Sequence, residues 1–117
     1  MRRSEDQVKL PHAKNAWVDP AKIKGYLLAE DHSSGGSKAR FFLVNGFTTE
    51  RWSELAGRLA EHGQCNEVSE VRERPGGTLF AVSGPWLCAN GNTRRFTTVW
   101  MVADGSEAPR LVTAYPE

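Results

Sequence analysis

The segment Asp31-His32-Ser33-Ser34-Gly35-Gly36-Ser37-Lys38-Ala39-Arg40 brings an imidazole, a run of small residues and two cations into one stretch of chain. These are the parts needed to hold an anion and to move a proton beside it. Ser37 is a good N-cap, and residues 38–44 read as the helix that it opens, closed by Asn45-Gly46. Lys38 then stands at the positive end of the helix dipole, where a cation is disfavoured by up to ~1 kcal/mol. A docked anion reverses that penalty. Orphan N–H groups at the same helix start, with Gly35 and Gly36 letting backbone come close, make phosphate or carboxylate the natural guest. A plain account competes, in which residues 31–36 are a solvated connector and Lys38 and Arg40 stand in water. A P-loop is excluded, because Gly-x-x-x-x-Gly-Lys-Ser/Thr is absent and Ile23 to Glu30 pattern as helix rather than as a buried strand.

A second set of polar groups falls late in the chain. Alternation over 96–102 places Thr97, Val99 and Met101 on one face, and Phe96, Thr98, Trp100 and Val102 on the other, the better core face. Arg94 keeps register with the core set and Arg95 with Thr97. In the closing segment the same alternation puts Leu111, Thr113 and Tyr115 on one face and Val112 and Ala114 on the other. Thr and Tyr are ordinary strand formers, so β-propensity alone accounts for them as readily as function does. The sharper reading is a hydroxyl pair on a sheet surface, with Tyr115 stacking on a base and Thr113 bonding a phosphate oxygen.

These groups need positioning elements. Residues 1–10 read as a flexible tail ahead of one domain over 11–117. Asp19-Pro20 caps a short helix with Ile23, Tyr26 and Leu27 on one face, ending near Glu30. After the 38–45 helix, a third opens at Thr48 or Thr49, with Trp52, Leu55, Ala56 and Leu59 as its apolar stripe and Gly63 as its stop. His62 in its last turn reads as a surface cap. Beyond residue 65 the period shortens toward 2, giving strands at Val68 to Val71, Leu79 to Ser83, Phe96 to Val102 and Leu111 to Tyr115. Turns at Pro75-Gly76-Gly77 and Asn90-Gly91-Asn92, with a longer loop from Asp104 to Pro109, favour an antiparallel meander. The expected fold class is α+β, N-terminal helices packed on a four-stranded antiparallel sheet.

Composition narrows the function. At 117 residues and 39% hydrophobic, the chain holds one core. A net charge of +1, from 15 basic and 14 acidic residues, excludes a global basic field, so any nucleic-acid contact is local. No apolar run reaches membrane-spanning length, and residues 1–9 lack the apolar core of a secretion signal, which predicts a chain acting in the cytosol. Cys65 and Cys88 read as small core residues on strands, with a disulfide left open. His12, His32 and His62 are too dispersed for a zinc site, and nothing calls for a cofactor.

The strings Leu10-Pro11, Asp19-Pro-Ala-Lys22, Tyr26-Leu-Leu28, Lys38-Ala-Arg-Phe-Phe42, Val99-Trp100 and above all Pro109-Arg-Leu-Val-Thr-Ala-Tyr-Pro116 resemble a family of uncharacterised, toxin-associated bacterial domains, over roughly residues 10–116. That resemblance implies a module found alone or at the end of a large exported protein, with an immunity or antitoxin partner. Thr113-Ala-Tyr-Pro116 also resembles, more distantly, the closing strand of the barnase, EndoU, colicin and RelE-like toxin ribonucleases. The implied activity is metal-independent RNA cleavage, with His32, Lys38, Thr113 and Tyr115 catalytic and Ser37, Arg40, Arg94, Arg95 and Thr98 holding substrate. EndoU-type sites hold a second histidine, which neither His12 nor His62 supplies, so Tyr115 or Lys38 takes the acid role. The rival reading is a non-catalytic binding module, an immunity or adaptor protein. It predicts an uncovered patch around Trp17, Trp52 or Trp86, where a nuclease predicts a cleft joining His32 to Tyr115.

Overall fold

The computed structural model describes residues 9–23, 40–43, 45–48, 50–88 and 90–117. The helical layer contains a 3-10 turn at Ala13–Asn15, a one-turn helix α1 at Pro20–Lys22, a helical turn at residues 40–43 and the long helix α2 at Trp52–Cys65. The sheet follows as β1 (Glu67–Arg74), β2 (Gly77–Leu87), β3 (Thr93–Ala103) and β4 (Arg110–Pro116), in the order β1-β2-β3-β4 with every neighbour antiparallel. This is the α+β meander that the periodicity predicts.

The local signals act as expected at several ends. Asp19 caps α1 by accepting from the Ala21 N–H at 2.9 Å, with Pro20 at the first helical position. Past residue 43 the chain closes with paired bonds, Phe47 N–H to Phe42 O at 3.0 Å and Gly46 N–H to Leu43 O at 3.1 Å. Gly46 takes φ 97°, the left-handed conformation that this C-terminal motif requires. Thr48 Oγ1 accepts from Arg51 N–H at 3.3 Å in the turn ahead of α2, which itself opens at Trp52, later than the expected Thr48 or Thr49.

Two expectations are corrected. Gly63 does not stop α2, which runs on to Cys65. The apolar stripe instead gains a further turn: Leu55 and Leu59 are followed on the buried face by His62 and Gly63. A Cβ on Gly63 would lie 2.8 Å from the Trp100 ring, so the glycine is there to let the indole pack against the helix backbone. The second correction lies in β4, where the pairing steps from Val99↔Thr113 to Trp100↔Leu111 and leaves Val112 as an extra residue. This bulge reverses the alternation. Leu111 is fully buried on the core face, whereas Thr113 and Tyr115 stand opposite Val99 and Thr97 on the other face.

The core lies between the helical layer and one face of the sheet. Phe42, Phe47, Leu55, Leu59, Val82, Phe96, Trp100 and Leu111 are completely buried. Trp86 stacks on Phe96 with centroids 4.4 Å apart and on Phe47 at 5.2 Å, and Phe42 meets both Trp86 and Phe96 edge-on. The Trp86 Nε1–H donates to Arg58 O at 3.0 Å, and the Arg58 guanidinium donates back to Leu87 O at 2.8 Å. This exchange stitches α2 to the end of β2. Among the described residues, no helix is long and apolar enough to cross a membrane.

Replacing Gly63 tests the packing argument by the sign of its effect. Helix propensity alone would make Gly63→Ala stabilising by up to ~1 kcal/mol. The close approach of Trp100 is expected to make it destabilising by about 1–3 kcal/mol in urea unfolding.

Candidate functional site

The sheet has one covered and one open face, and the site residues divide between them. On the covered face, Thr98 is fully buried, and its Oγ1 lies 2.9 Å from His62 Nδ1 and 2.8 Å from Trp100 Nε1. Expected to meet substrate, Thr98 is instead committed to the core. His62, expected as a surface cap, is 2% exposed. Its Nε2 sits 3.0 Å from Phe96 O and 3.2 Å from Gly84 O.

Two of the proton positions in this cluster follow from elimination. Two carbonyl oxygens can only accept, so Nε2 carries a hydrogen and donates to them. Trp100 Nε1–H can only donate, so Thr98 Oγ1 accepts from it, and with a neutral ring the Thr98 hydroxyl gives its own hydrogen to His62 Nδ1. Burial is what favours the neutral imidazole. Burial pushes its pKa below 6.5, against the smaller opposing pull of the Gly84 and Phe96 carbonyls.

On the open face, β1 contributes Glu70, Arg72 and Arg74, β2 contributes Leu79, Ala81 and Ser83, β3 contributes Arg95, Thr97 and Val99, and β4 contributes Thr113 and Tyr115. Glu70, Arg72, Arg74, Leu79, Ala81, Val99 and Tyr115 line one groove of about 230 Å³ that crosses all four strands. Its floor is apolar and its rim carries two guanidiniums, a carboxylate and a phenol. Glu70 and Arg72 are ion-paired along β1.

Beside the groove runs a row of hydroxyls. Ser69 Oγ lies 3.2 Å from Ser83 Oγ, Ser83 Oγ lies 3.1 Å from Thr97 Oγ1, and the Thr97 hydroxyl donates to Glu117 Oε2 at 3.0 Å. Arg95 Nε donates to Glu117 Oε1 at 3.4 Å. The Thr97 hydrogen bond, supported by Ser83 and Arg95, holds the Glu117 carboxyl below its usual range. This carboxylate is ionised at neutral pH and stays so into mild acid.

The structure thus brings Tyr115, Thr113 and Arg95 to one face, together with partners that the sequence reading did not name. Arg72, Arg74 and Glu70 carry a legible signal: their period-2 spacing on a strand places all three on one side. The Ser69, Ser83, Thr97 and Glu117 row depends on cross-strand register and has no local signature. Arg94 pairs with Trp86 in register and keeps the parity of the covered face at the sheet's end. Arg40 is exposed where the described helical turn begins. His32, Ser37 and Lys38 lie outside the described residues. Cys65 is exposed at the last position of α2, rather than on a strand, and Cys88 is buried just past β2, where burial pushes its thiol up. Both are free thiols. Among the described residues, no three His, Cys, Asp or Glu side chains are grouped to hold a metal ion.

Fold and site together define a two-layer α+β domain whose sheet turns a polar, arginine-bearing face to solvent. Residues 9–117 match the family model DUF6883, a domain of unknown function, and the chain belongs to that family. Over 93 residues it is 30% identical to Spartin from Homo sapiens and from Bos taurus, a match covering 77% of this chain and 14% of theirs. The chain therefore spans a small part of those curated relatives. Among solved structures it is similar to a chain of the "Contact-dependent growth inhibition toxin - immunity protein complex from Klebsiella pneumoniae 342", with a TM-score of 0.67, 15% identity, and coverage of 91% of this chain and 97% of that one. At that identity the likeness is one of fold.

The neutral His62 gives the domain a defined acid sensitivity. The unfolded chain binds a proton at His62 below about pH 6.5 and the native state resists it, so stability falls as pH drops through 6.5 toward the lower native value. Chemical denaturation between pH 7 and 5 is expected to show a slope of up to ~1.4 kcal/mol per pH unit, a slope that His62→Gln removes while lowering stability at pH 7. Loss of the Glu117 contribution comes later, below the ordinary carboxylate range, and is separable by that window.

Proposed function

We propose that this chain is a toxin-system domain that cleaves RNA without a metal ion, using the open sheet face. The observation that carries the reading is the groove in which the half-exposed phenol of Tyr115 meets Arg72 and Arg74 across the sheet. An aromatic ring over an apolar floor suits an unstacked base, and two guanidiniums suit a phosphate. The fold likeness to a chain of a toxin–immunity complex supports the same assignment.

The chemistry asks for little beyond these groups. A base takes the proton of the ribose 2′-hydroxyl, the 2′-oxygen bonds to the adjacent phosphorus, and the bond from phosphorus to the 5′-oxygen breaks. An acid returns a proton to that 5′-oxygen. The products are a 2′,3′-cyclic phosphate and a 5′-hydroxyl, so no water or further reactant enters. In this proposal His32 serves as base or acid, with Tyr115 or Lys38 as its counterpart. Lys38, Arg72 and Arg74 neutralise the charge that accumulates on the phosphoryl oxygens, while Thr113 holds one of them. Ser37 contacts phosphate, and Arg95 follows the RNA backbone on the open face.

The second reading, a non-catalytic immunity or adaptor module, draws on Trp17, which is 43% exposed. Trp86 is buried and Trp52 packs partly against the core, so of these three tryptophans Trp17 is the exposed one. Trp17 is also held in place by backbone bonds, its N–H to Pro109 O at 2.9 Å and its C=O from Leu111 N–H at 3.1 Å.

Incubation with total RNA in EDTA is expected to yield fragments ending in 2′,3′-cyclic phosphate. Substitution of His32 by Ala, or Tyr115 by Phe, is expected to lower the rate by about 10²–10⁴ where the group transfers a proton. Arg72→Ala and Arg74→Ala are each expected to weaken RNA binding and reduce its salt slope by about 1. RNA left intact by abundant folded protein overturns the catalytic reading in favour of the binding module.

A further inference from the structure

We propose that the outer edge of β1 is a docking surface for a second copy of this chain, joining two four-stranded sheets into one of eight. β1 ends the sheet order, and among the described residues no strand pairs with its outer edge. Nearly every residue of the strand is exposed, including the apolar Val71 at 51%.

The backbone is set for addition. Pro75-Gly76 forms a two-residue turn that makes Arg74 and Gly77 facing partners, with Arg72↔Leu79 two residues on. In a hairpin of this length the pair next to the turn is hydrogen-bonded, and alternation then directs the N–H and C=O of Val71 and Glu73 away from β2 toward the open edge. A second β1 running antiparallel, with Val71 opposite Val71, bonds through those groups. In that register Glu70 of each copy stands opposite Arg72 of the other, in the non-hydrogen-bonded pairs where side chains come closest.

Charge selects this register over its neighbours. Slipping the pairing one way puts Arg72 opposite itself while setting Glu70 opposite Arg74, and slipping it the other way puts Glu70 opposite itself and Glu67 opposite Glu73, so the Val71-centred register is the one of the three without a like-charge pair. The irregularity between Val68 and Glu70 breaks the ladder at the strand's start and, since Glu73 of one copy faces Ser69 of the other, limits the regular seam to residues 70–72 of each copy. Charged edges commonly keep strands apart. The order of charges here favours one register over its neighbours. Because the seam is short, the dimer is weak and concentration-dependent. The inference is independent of whether the open face cleaves RNA.

Sedimentation velocity over a concentration series is expected to show a monomer–dimer equilibrium. Glu70→Arg and Arg72→Glu each place like charges across the seam, and each is expected to weaken dimerisation by about 10-fold or more. Mixed in equal amounts, the two variants restore opposite charges at both pairs and are expected to form a heterodimer at the wild-type concentration, which also shows that both are folded. A wild-type chain that stays monomeric throughout, or single variants that dimerise as wild type does, overturns the proposal. So does a mixture that fails to restore association although both variants give native circular dichroism.

Discussion

The arrangement rests on one constraint: every polar atom that His62 carries into the interior must find a partner there. The imidazole of α2 reaches two strands at once, to Thr98 and Phe96 on β3 and to Gly84 on β2, and Trp100 completes the set. Leaving a buried polar group unsatisfied costs about 1–3 kcal/mol, so the helix cannot slide or rotate without losing several bonds together. Around this cluster two glycines make room. Gly63 admits the Trp100 ring, and Gly84 lies beneath the Asn66 side chain, whose Nδ2–H bonds back to His62 O at 3.0 Å. Polar pairing and close packing thus fix which face of the sheet the helix covers.

That choice has a functional consequence. With α2 held against the face bearing Phe96, Thr98 and Trp100, the opposite face is left to Thr97, Val99, Thr113 and Tyr115. The bulge at Val112 extends the logic to β4. It keeps Leu111 in the core while sending Thr113 and Tyr115 outward, a division that strict alternation would not permit. Two arginines from β1 then share a groove with a phenol from β4, although roughly forty residues of meander separate them in the chain. In the proposed function, this grooved, mixed-polarity surface engages a single-stranded nucleic acid through stacking and phosphate contacts without a strongly basic chain overall.

Much of the architecture was legible from sequence because it is written in short-range terms. Four strands, their turns, the Asp19-Pro20 cap and the Asn45-Gly46 closure all follow from residues within a few positions of one another. What escaped depends on contacts between elements. Gly63 reads locally as a stop because its partner, Trp100, comes from another layer. His62 reads as a surface cap because nothing near it announces Thr98. Thr98 itself is a polar residue in core register, and only the bonds that satisfy it distinguish a buried hydroxyl from a substrate contact. Thr113 and Tyr115 were placed beside Leu111 by an alternation that one extra residue interrupts. His32, Ser37 and Lys38 lie outside the described residues.

The most direct test of the proposed open-face site is a titration of the isotope-labelled chain with a short single-stranded oligoribonucleotide, blocked by 2′-O-methylation, followed through backbone amide shifts. The account expects the largest, saturable changes at Arg72, Leu79, Val99 and Tyr115, with little change at Leu59, His62 or Trp100. Shifts confined to the helical layer, or none at saturating oligonucleotide, would contradict it.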